Sequence, residues 1–290
     1  MQKSYLQLHI AVLFLGLSPV LGKLITLNEG LLTWYRVAFS AIILFFVLRF
    51  SKVEKRLRFS EKVAIGSVGV LVALSWVFFF AGIKYSNISV GVVCYCIASF
   101  FTAVLEPLMT KTRFRLSQLL LSALTILGIA LIFSFDTSYR LGIALGIISP
   151  LFYSLYSIYN KQLAGRYDSR LINYYQMVGG TIGLGVLLTI YLYIFPARQL
   201  IPDLRDSIYL MLLSAFCTVL VYVLLTQALK NISAFTANLS MNLEPIYAII
   251  VAFIFFNESQ QVNGSFYAGL FFVVLSVILQ TVISVAGETK

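Results

Sequence analysis

One acidic residue lies in the middle of an otherwise apolar stretch of this chain. Glu244 precedes Pro245 within the segment 233–256, and two amides, Asn238 and Asn242, lie one helical turn apart just upstream. A charged group in the centre of a bilayer costs roughly 3 kcal/mol on insertion scales, so it normally faces a cavity or a partner. We therefore expect Glu244 to mark a site for proton coupling or for a substrate ammonium group.

The surroundings of Glu244 leave a structural interpretation open. The acid could instead bond a neighbouring helix, and buried amides often bridge helices. Pro245 has no amide, which leaves the carbonyl of Met241 free to accept from a neighbour, water or substrate. A helical projection at 100° per residue predicts that Glu244 and Asn242 flank an inner face of Ala237, Met241, Pro245, Ala248 and Ala252, opposite a lipid face of Leu239, Leu243, Ile246, Ile250 and Phe253.

Two basic residues lie in the first two apolar segments. Arg36 can bind an anionic substrate group or pair with an acid such as Glu29. Lys23 can contribute to the same site or extend to the membrane interface. Together with Glu106 and Glu244 they give the intramembrane segments a net charge of zero, which is compatible with zwitterions such as amino acids.

Three further residues complete the candidate set. Glu106 lies before the basic cluster at 111–115, so we expect it to serve gating or pairing with that cluster. Trp76 and Tyr153 could line a cavity for an organic solute, although helix packing explains any single aromatic residue equally well. His9 is the lone histidine and has no partners at metal-ligand spacing, so no metal site is expected.

The composition requires a membrane to accommodate these residues. Of 290 residues, 60% are hydrophobic and 11% are charged, whereas a soluble domain has about 25% charged residues. A span needs about 20 apolar residues. Charged and turn-forming clusters predict an all-α integral membrane fold with ten spans at 6–26, 31–49, 63–83, 87–109, 117–135, 141–160, 171–195, 207–229, 233–256 and 264–284.

The distribution of positive charge predicts the orientation of these spans. With a cytoplasmic N-terminus, fifteen Lys and Arg residues fall in inside segments and four in outside segments. This asymmetry places both termini in the cytoplasm and indicates a multi-pass protein of the cytoplasmic membrane. The net charge of +10 is thereby explained without a nucleic-acid partner.

The chain also repeats itself. Asn87-Ile88-Ser89 and Asn231-Ile232-Ser233 are separated by 144 residues, which predicts two five-span halves at 1–138 and 139–290. Because five is odd, the second half must insert with the opposite orientation, and inverted repeats place a substrate site near the midplane. The two Glu-Pro pairs are about six residues out of register, so we interpret them as non-equivalent.

Several of these motifs resemble those of a known family. They are Gly16-Leu17-Ser18 with Lys23 in the first span, Arg36 in TWYRVAFSAIILF, Glu106-Pro107 before a basic loop, and Asn242-Leu243-Glu244-Pro245 with terminal Glu258. This ten-span, five-plus-five pattern is similar to the drug/metabolite transporter superfamily, in its EamA-like branch. The resemblance covers essentially the whole chain and implies a transporter, but says little about its substrate.

The sequence thus favours a secondary transporter, and we expect an exporter, of a small organic metabolite working by alternating access around Glu244, Arg36, Asn238 and Asn242. No HExxH, GxSxG, Walker or Rossmann pattern occurs, so neither enzymatic activity nor a cofactor is expected. A membrane-embedded lipid-handling protein of flippase type and a non-transporting scaffold remain alternatives. The expected partners are a small-molecule substrate and the lipid bilayer, and both a monomer and a homodimer are open.

Overall fold

The computed structural model describes residues 2–51, 53, 57–134, 139–241, 243–260 and 264–288, and these form helices joined by short connections without any strand. A π-helical segment, Ala215–Leu220, and a 3-10 turn, Glu258–Gln260, accompany the α-helices. The helices are α1 (Gln2–Leu15), α2 (Ser18–Leu24), α3 (Glu29–Arg49), α4 (Phe59–Lys84), α5 (Ile88–Tyr95), α6 (Ala98–Thr110), α7 (Leu116–Ser134), α8 (Arg140–Ala164), α9 (Ser169–Ile194), α10 (Leu204–Ser214), α11 (Val221–Ala228), α12 (Ala234–Met241), α13 (Glu244–Phe256) and α14 (Gly264–Glu288).

Among the described residues, seven helical segments are long and apolar enough to cross a membrane. They are Ser4–Leu24, Glu29–Arg49, Phe59–Lys84, Ile88–Thr110, Arg140–Ala164, Ser169–Ile194 and Leu204–Ala228. Three shorter apolar helices, Leu116–Leu131, Glu244–Phe256 and Gly264–Ser276, lie where the sequence predicts the fifth, ninth and tenth spans. The protein is therefore all-helical and crosses the membrane several times.

Three of the predicted spans are interrupted near their middle. The first breaks between α1 and α2, the fourth between α5 and α6, and the ninth between α12 and α13. Gly16 at the first break lies against α13, where an added Cβ would be 2.7 Å from the Cβ of Tyr247. Irregular backbone at membrane depth is tolerated only where it is buried in protein or lines a cavity, so the breaks point to the centre of the bundle.

Helices that correspond in the two predicted halves run antiparallel to each other. At the start of α3, Glu29 accepts a 2.5 Å hydrogen bond from Tyr191 near the end of α9. At the other end of α3, the ring of Phe45 lies 6.5 Å from that of Tyr174 near the start of α9. In the same way α7 and α14 run antiparallel, since Thr125 contacts Ser276 and Gly128 contacts Gly269.

Glycines allow α4 to pack closely on α8 and α9. A Cβ on Gly69 would lie 1.8 Å from the carbonyl oxygen of Gln176, and one on Gly179 would lie 2.2 Å from that of Gly66. A Cβ on Gly82 would lie 3.0 Å from the Cα of Gly146 in α8. Small residues permit such backbone approach where lipid supplies no hydrophobic drive between helices.

These contacts define two ends of the bundle. The connection from α2 to α3, at 25–28, lies beside the start of α10, because Asp206 accepts from the amide of Thr26 at 3.0 Å and from its hydroxyl at 2.6 Å. We name each end after a lysine that lies there. The Lys23 end comprises the connections at 25–28, 85–87, 195–203 and 257–260. The Lys161 end comprises the connections at 111–115, 165–168 and 229–233.

Candidate functional site

A narrow cavity lies where the helix breaks converge. Its volume is only about 10 Å³, room for about one water molecule. Its walls come from the first, second, third, fourth, eighth and ninth predicted spans, and so from both halves of the chain. The lining residues are Leu15, Ser18, Arg36, Trp76, Phe79, Tyr95, Tyr222, Met241 and Glu244.

Arg36 is the only basic residue in the cavity wall, and it is almost completely buried, with 1% of its surface exposed. Its Nε donates to the hydroxyl of Thr218 at 2.8 Å, and Nη2 donates to the carbonyl of Cys217 at 3.1 Å. Both partners belong to the π-helical segment, where Thr218 in turn donates to the carbonyl of Leu213 at 3.0 Å. The guanidinium carbon lies 3.8 Å from the ring centroid of Trp76, a cation–π stack that stabilises the buried charge.

Aromatic side chains form a continuous wall beside Arg36. The indole nitrogen of Trp76 donates to the hydroxyl of Tyr222 at 2.9 Å. The hydroxyl of Tyr153 donates to the sulfur of Met241 at 2.9 Å, and its ring lies 5.1 Å from that of Tyr95. Tyr153 is therefore behind the lining residues Met241 and Tyr95, where it supports the wall.

Glu244 is the acidic counterpart of Arg36 in this cavity. It is the first residue of α13 and is 5% exposed. The ion pairs among the described residues are Lys23–Glu258 and Arg170–Asp168. Arg36 and Glu244 thus both line this small cavity, and they do not form an ion pair with each other.

A buried polar network extends from the aromatic wall towards the Lys161 end. Asn160 donates to the hydroxyl of Thr226 at 3.2 Å and accepts from Gln176 at 3.1 Å. Asn173 donates to the same hydroxyl at 3.0 Å and to the carbonyl of Tyr222 at 3.1 Å. The network connects α8, α9 and α11 between the cavity and the Lys161 end.

The remaining sequence candidates lie elsewhere. Lys23 is at its own end of the bundle and pairs with Glu258 at 2.7 Å, and Glu106 accepts from the amide of Phe235 at 3.3 Å. Arg36 does not pair with Glu29, which was one of two alternatives left open by the sequence: Arg36 donates to Thr218 and Cys217, and Glu29 accepts from the hydroxyl of Tyr191. Asn242 lies outside the described residues, and the Asn238 side chain is likewise not described.

The helical projection of the ninth span is confirmed on its inner face. Ala237, Met241, Pro245, Ala248 and Ala252 are all buried. On the opposite side Ile250 is exposed, but Leu243, Ile246 and Phe253 are half-buried. The projection assumed one continuous helix, so its angles do not carry across the interruption between α12 and α13. Neighbouring helices also cover part of the side that was predicted to face lipid.

Sequence reasoning missed the residues that hold Arg36 in place. Thr218 and Tyr222 lie in a segment that reads as uniformly apolar, and nothing in its composition predicts a π-helix. A signal was present in the spacing of Thr218, Tyr222 and Thr226, because polar groups four residues apart share one helix face. That face contacts Arg36, Trp76 and the polar network.

Comparisons with known proteins agree with this architecture. An uncharacterized transporter of Clostridium kluyveri is 21% identical over 297 residues, covering 96% of this chain and 93% of that protein. A protein of known crystal structure shares the fold, with a TM-score of 0.70 at 14% identity and coverage of 99% of both chains. The model of the EamA-like transporter family matches twice, at residues 2–134 and 140–282. The chain is thus a multi-pass membrane protein and belongs to the EamA-like transporter family.

Proposed function

We propose that this protein is a secondary active transporter of a small zwitterionic metabolite, such as an amino acid, in the cytoplasmic membrane. The observation that carries the proposal is the presence of Arg36 and Glu244 in one small cavity without an ion pair between them. Alternating access around this cavity would move the substrate across the membrane.

The cavity fits the two charges of a zwitterion. A carboxylate can accept from the guanidinium of Arg36, whose planar fork suits carboxylates. An ammonium group can pair with Glu244 and lie against aromatic faces, which attract cations. Trp76, Phe79 and Tyr222 supply apolar surface for the rest of the molecule. In this structure the cavity has a volume of only about 10 Å³, so the surrounding helices must move apart to admit a small metabolite.

We propose ten spans arranged as two inverted halves, with both termini in the cytoplasm. The antiparallel contacts between α3 and α9 and between α7 and α14 support this arrangement, because each pair occupies corresponding places in the two halves. Five spans per half require opposite insertion of the two copies. The excess of basic residues at the Lys161 end supports a cytoplasmic location for that end.

Glu244 is the proposed coupling group. A carboxyl that binds a proton and a substrate ammonium group in turn can exchange one for the other across the membrane. Since the proton gradient of a respiring cell is directed inwards, such antiport drives export. The chain has no nucleotide-binding motif to supply another energy source.

Purified protein in liposomes would test the proposal by counterflow of labelled amino acids and by export driven by an imposed pH gradient. We expect Glu244→Gln to abolish the response to the gradient, and Arg36→Gln to abolish binding. Glu61→Gln is the matched control, since Glu61 accepts from the hydroxyl of Tyr167 outside the cavity. Absence of zwitterion flux, or an unchanged pH response in Glu244→Gln, would contradict the proposal.

A lipid-handling function is the second candidate, favoured by a groove between α4 and α8. The groove is lined by the polar residues Ser67, Gln162 and Arg166 among apolar residues. The same liposomes would test it, because a lipid-handling protein moves fluorescent phospholipids between leaflets and a metabolite transporter does not.

A further inference from the structure

A buried carboxylate binds three separate segments together at the Lys23 end. Glu258 follows α13 and is completely buried. Its Oε1 accepts from Lys23 Nζ at 2.7 Å and from the amide of Ile88 at 3.1 Å. Its Oε2 accepts from the amide and hydroxyl of Ser89, at 3.0 and 2.8 Å. This acid therefore joins α2 and the start of α5 to the end of α13.

A similar set of groups lies at the Lys161 end. Glu106, near the end of α6, accepts from the amide of Phe235 in the first turn of α12 at 3.3 Å. Lys161 of α8 donates to the carbonyls of Leu229 and Ile232, just before α12 begins. An acid, a lysine and a helix start are again close together.

The two clusters are reciprocal. The fourth predicted span ends in Glu106, which binds the start of the ninth, and the ninth ends in Glu258, which binds the start of the fourth. The lysines come from the first and sixth spans, which also correspond in the two halves. The fourth and ninth spans each begin at one copy of the repeated Asn-Ile-Ser sequence, at 87–89 and 231–233.

The two clusters differ in how their acids are bound. Lys23 and Glu258 form an ion pair, but Lys161 and Glu106 do not come within ion-pair distance. Glu258 is completely buried, whereas Glu106 is half-buried. The Lys23 end is thus closed by a complete cluster, and the Lys161 end holds the same groups in a looser arrangement.

We infer that these two clusters are the opposing gates of the transport cycle: Lys23, Glu258 and the start of α5 close one end of the cavity, and Lys161, Glu106 and the start of α12 close the other. The inference rests on the proposed function and assigns four positioning residues to it. In this structure Lys23 and Glu258 form an ion pair, and Lys161 and Glu106 do not.

Electrostatics explains why such a cluster acts as a gate. A buried carboxylate that loses its partners must regain solvation, because an uncompensated buried charge is strongly destabilising. Glu258 can therefore leave Lys23 and Ser89 only as water enters, which is what opening that end requires. Each gate contains groups from both halves, so a relative movement of the halves that separates one set can bring the other together.

Access to the cavity from each side of the membrane would test the inference. The native cysteines, Cys94, Cys96 and Cys217, are first replaced by Ala. Ser18→Cys then places a single thiol in the cavity wall. A membrane-impermeant maleimide is applied from one face of the membrane or the other, and the labelling rate is measured. We expect Glu258→Gln to raise the labelling rate about tenfold from the face at the Lys23 end and to lower it from the other face. Glu106→Gln is expected to do the opposite.

Matched variants separate gating from a general loss of structure. Lys23→Met should reproduce Glu258→Gln, and Lys23→Arg, which keeps the pair, should behave as the parent protein. Asp168→Asn is the control, because Asp168 pairs with Arg170 on its own helix. Labelling that changes in the same direction from both faces, or stays at the parent rate in folded Glu258→Gln and Lys23→Met, would overturn the assignment.

Measuring both labelling and flux separates failure of the gate assignment from failure of the proposed function. Opposite changes in labelling without flux of any zwitterion would retain the gates and overturn the substrate class. Zwitterion flux in the parent protein without opposite changes in labelling would retain the transporter and overturn the gates.

Discussion

Arg36 is held at the centre of the bundle by contacts that only a guanidinium can make together. Its plane stacks on Trp76 at 3.8 Å while two of its nitrogens donate to Thr218 and Cys217. The π-helical segment provides both acceptors, and such segments often occur at functional sites. The side chain is therefore fixed in position in the cavity wall.

Arg36→Lys is accordingly not a conservative change. An ammonium group cannot stack as a plane or donate in a fixed fork, so we expect substrate binding to weaken by about tenfold or more. The measurement is the KM for counterflow in liposomes, with Thr218→Ser, which retains the hydroxyl, as the control. A KM equal to that of the parent protein would show that Arg36 does not bind the substrate.

The effects of Trp76→Phe and Tyr222→Phe on stability should be less than additive. Each removes the 2.9 Å hydrogen bond between the same two side chains while leaving an aromatic ring in the wall. A bond of this kind contributes about 1 kcal/mol, so the double variant should cost about 1 kcal/mol less than the sum of the two single losses. Thermal unfolding of the three variants in detergent measures this, and additive losses would assign the effects to separate contacts.

At the scale of the helices, close backbone contacts determine how the site is built. Those between α4 and α9 position Trp76, and the interruptions of the first and ninth spans position Ser18 and Glu244. The glycines at these contacts differ in how much space surrounds them. Substituting single glycines by alanine, which adds one methyl group, therefore tests the helix packing.

Gly69→Ala should destabilise the protein, whereas Gly165→Ala should not. The added methyl would lie 1.8 Å from the carbonyl oxygen of Gln176, a backbone atom that cannot turn away, but 3.8 Å from that of Gln162 in the second case. Overpacking of this kind costs about 1–3 kcal/mol. Melting temperatures in detergent would show the difference, and equal values would contradict the packing of α4 on α9.

Apolar runs predicted where the helices lie, because hydropathy is a property of local composition. The interruptions were not predictable in the same way: Pro245 signalled one of them, but the break after Tyr95 and the π-helix at 215–220 lie in sequence without a proline or charge. At the site, Glu244, Arg36 and Trp76 were identified because charges and large polar aromatics are unusual in lipid. The partners of Lys23 and Glu106 are distant in sequence, and composition carries no information on such contacts.

At the scale of the whole molecule, the charge distribution predicts which end faces the cytoplasm. A reporter fused after Lys290 should be cytoplasmic, so a fused fluorescent protein should fluoresce and a fused periplasmic phosphatase should be inactive. The phosphatase inserted at Arg198 should be active, since the connection at 195–203 belongs to the other end. Activity at both places would contradict the ten-span arrangement.

The reciprocal contacts of Glu106 and Glu258 have a consequence for the evolution of this chain. Each acid lies in one half and binds the helix start contributed by the other, so neither half can lose its acid or its helix start without leaving an unsatisfied partner. After an ancestral duplication, residues in the cavity wall could diverge independently in the two copies. Residues of the two clusters at the ends of the cavity would have to change together. Substrate preference can then evolve rapidly on a mechanism that itself changes slowly.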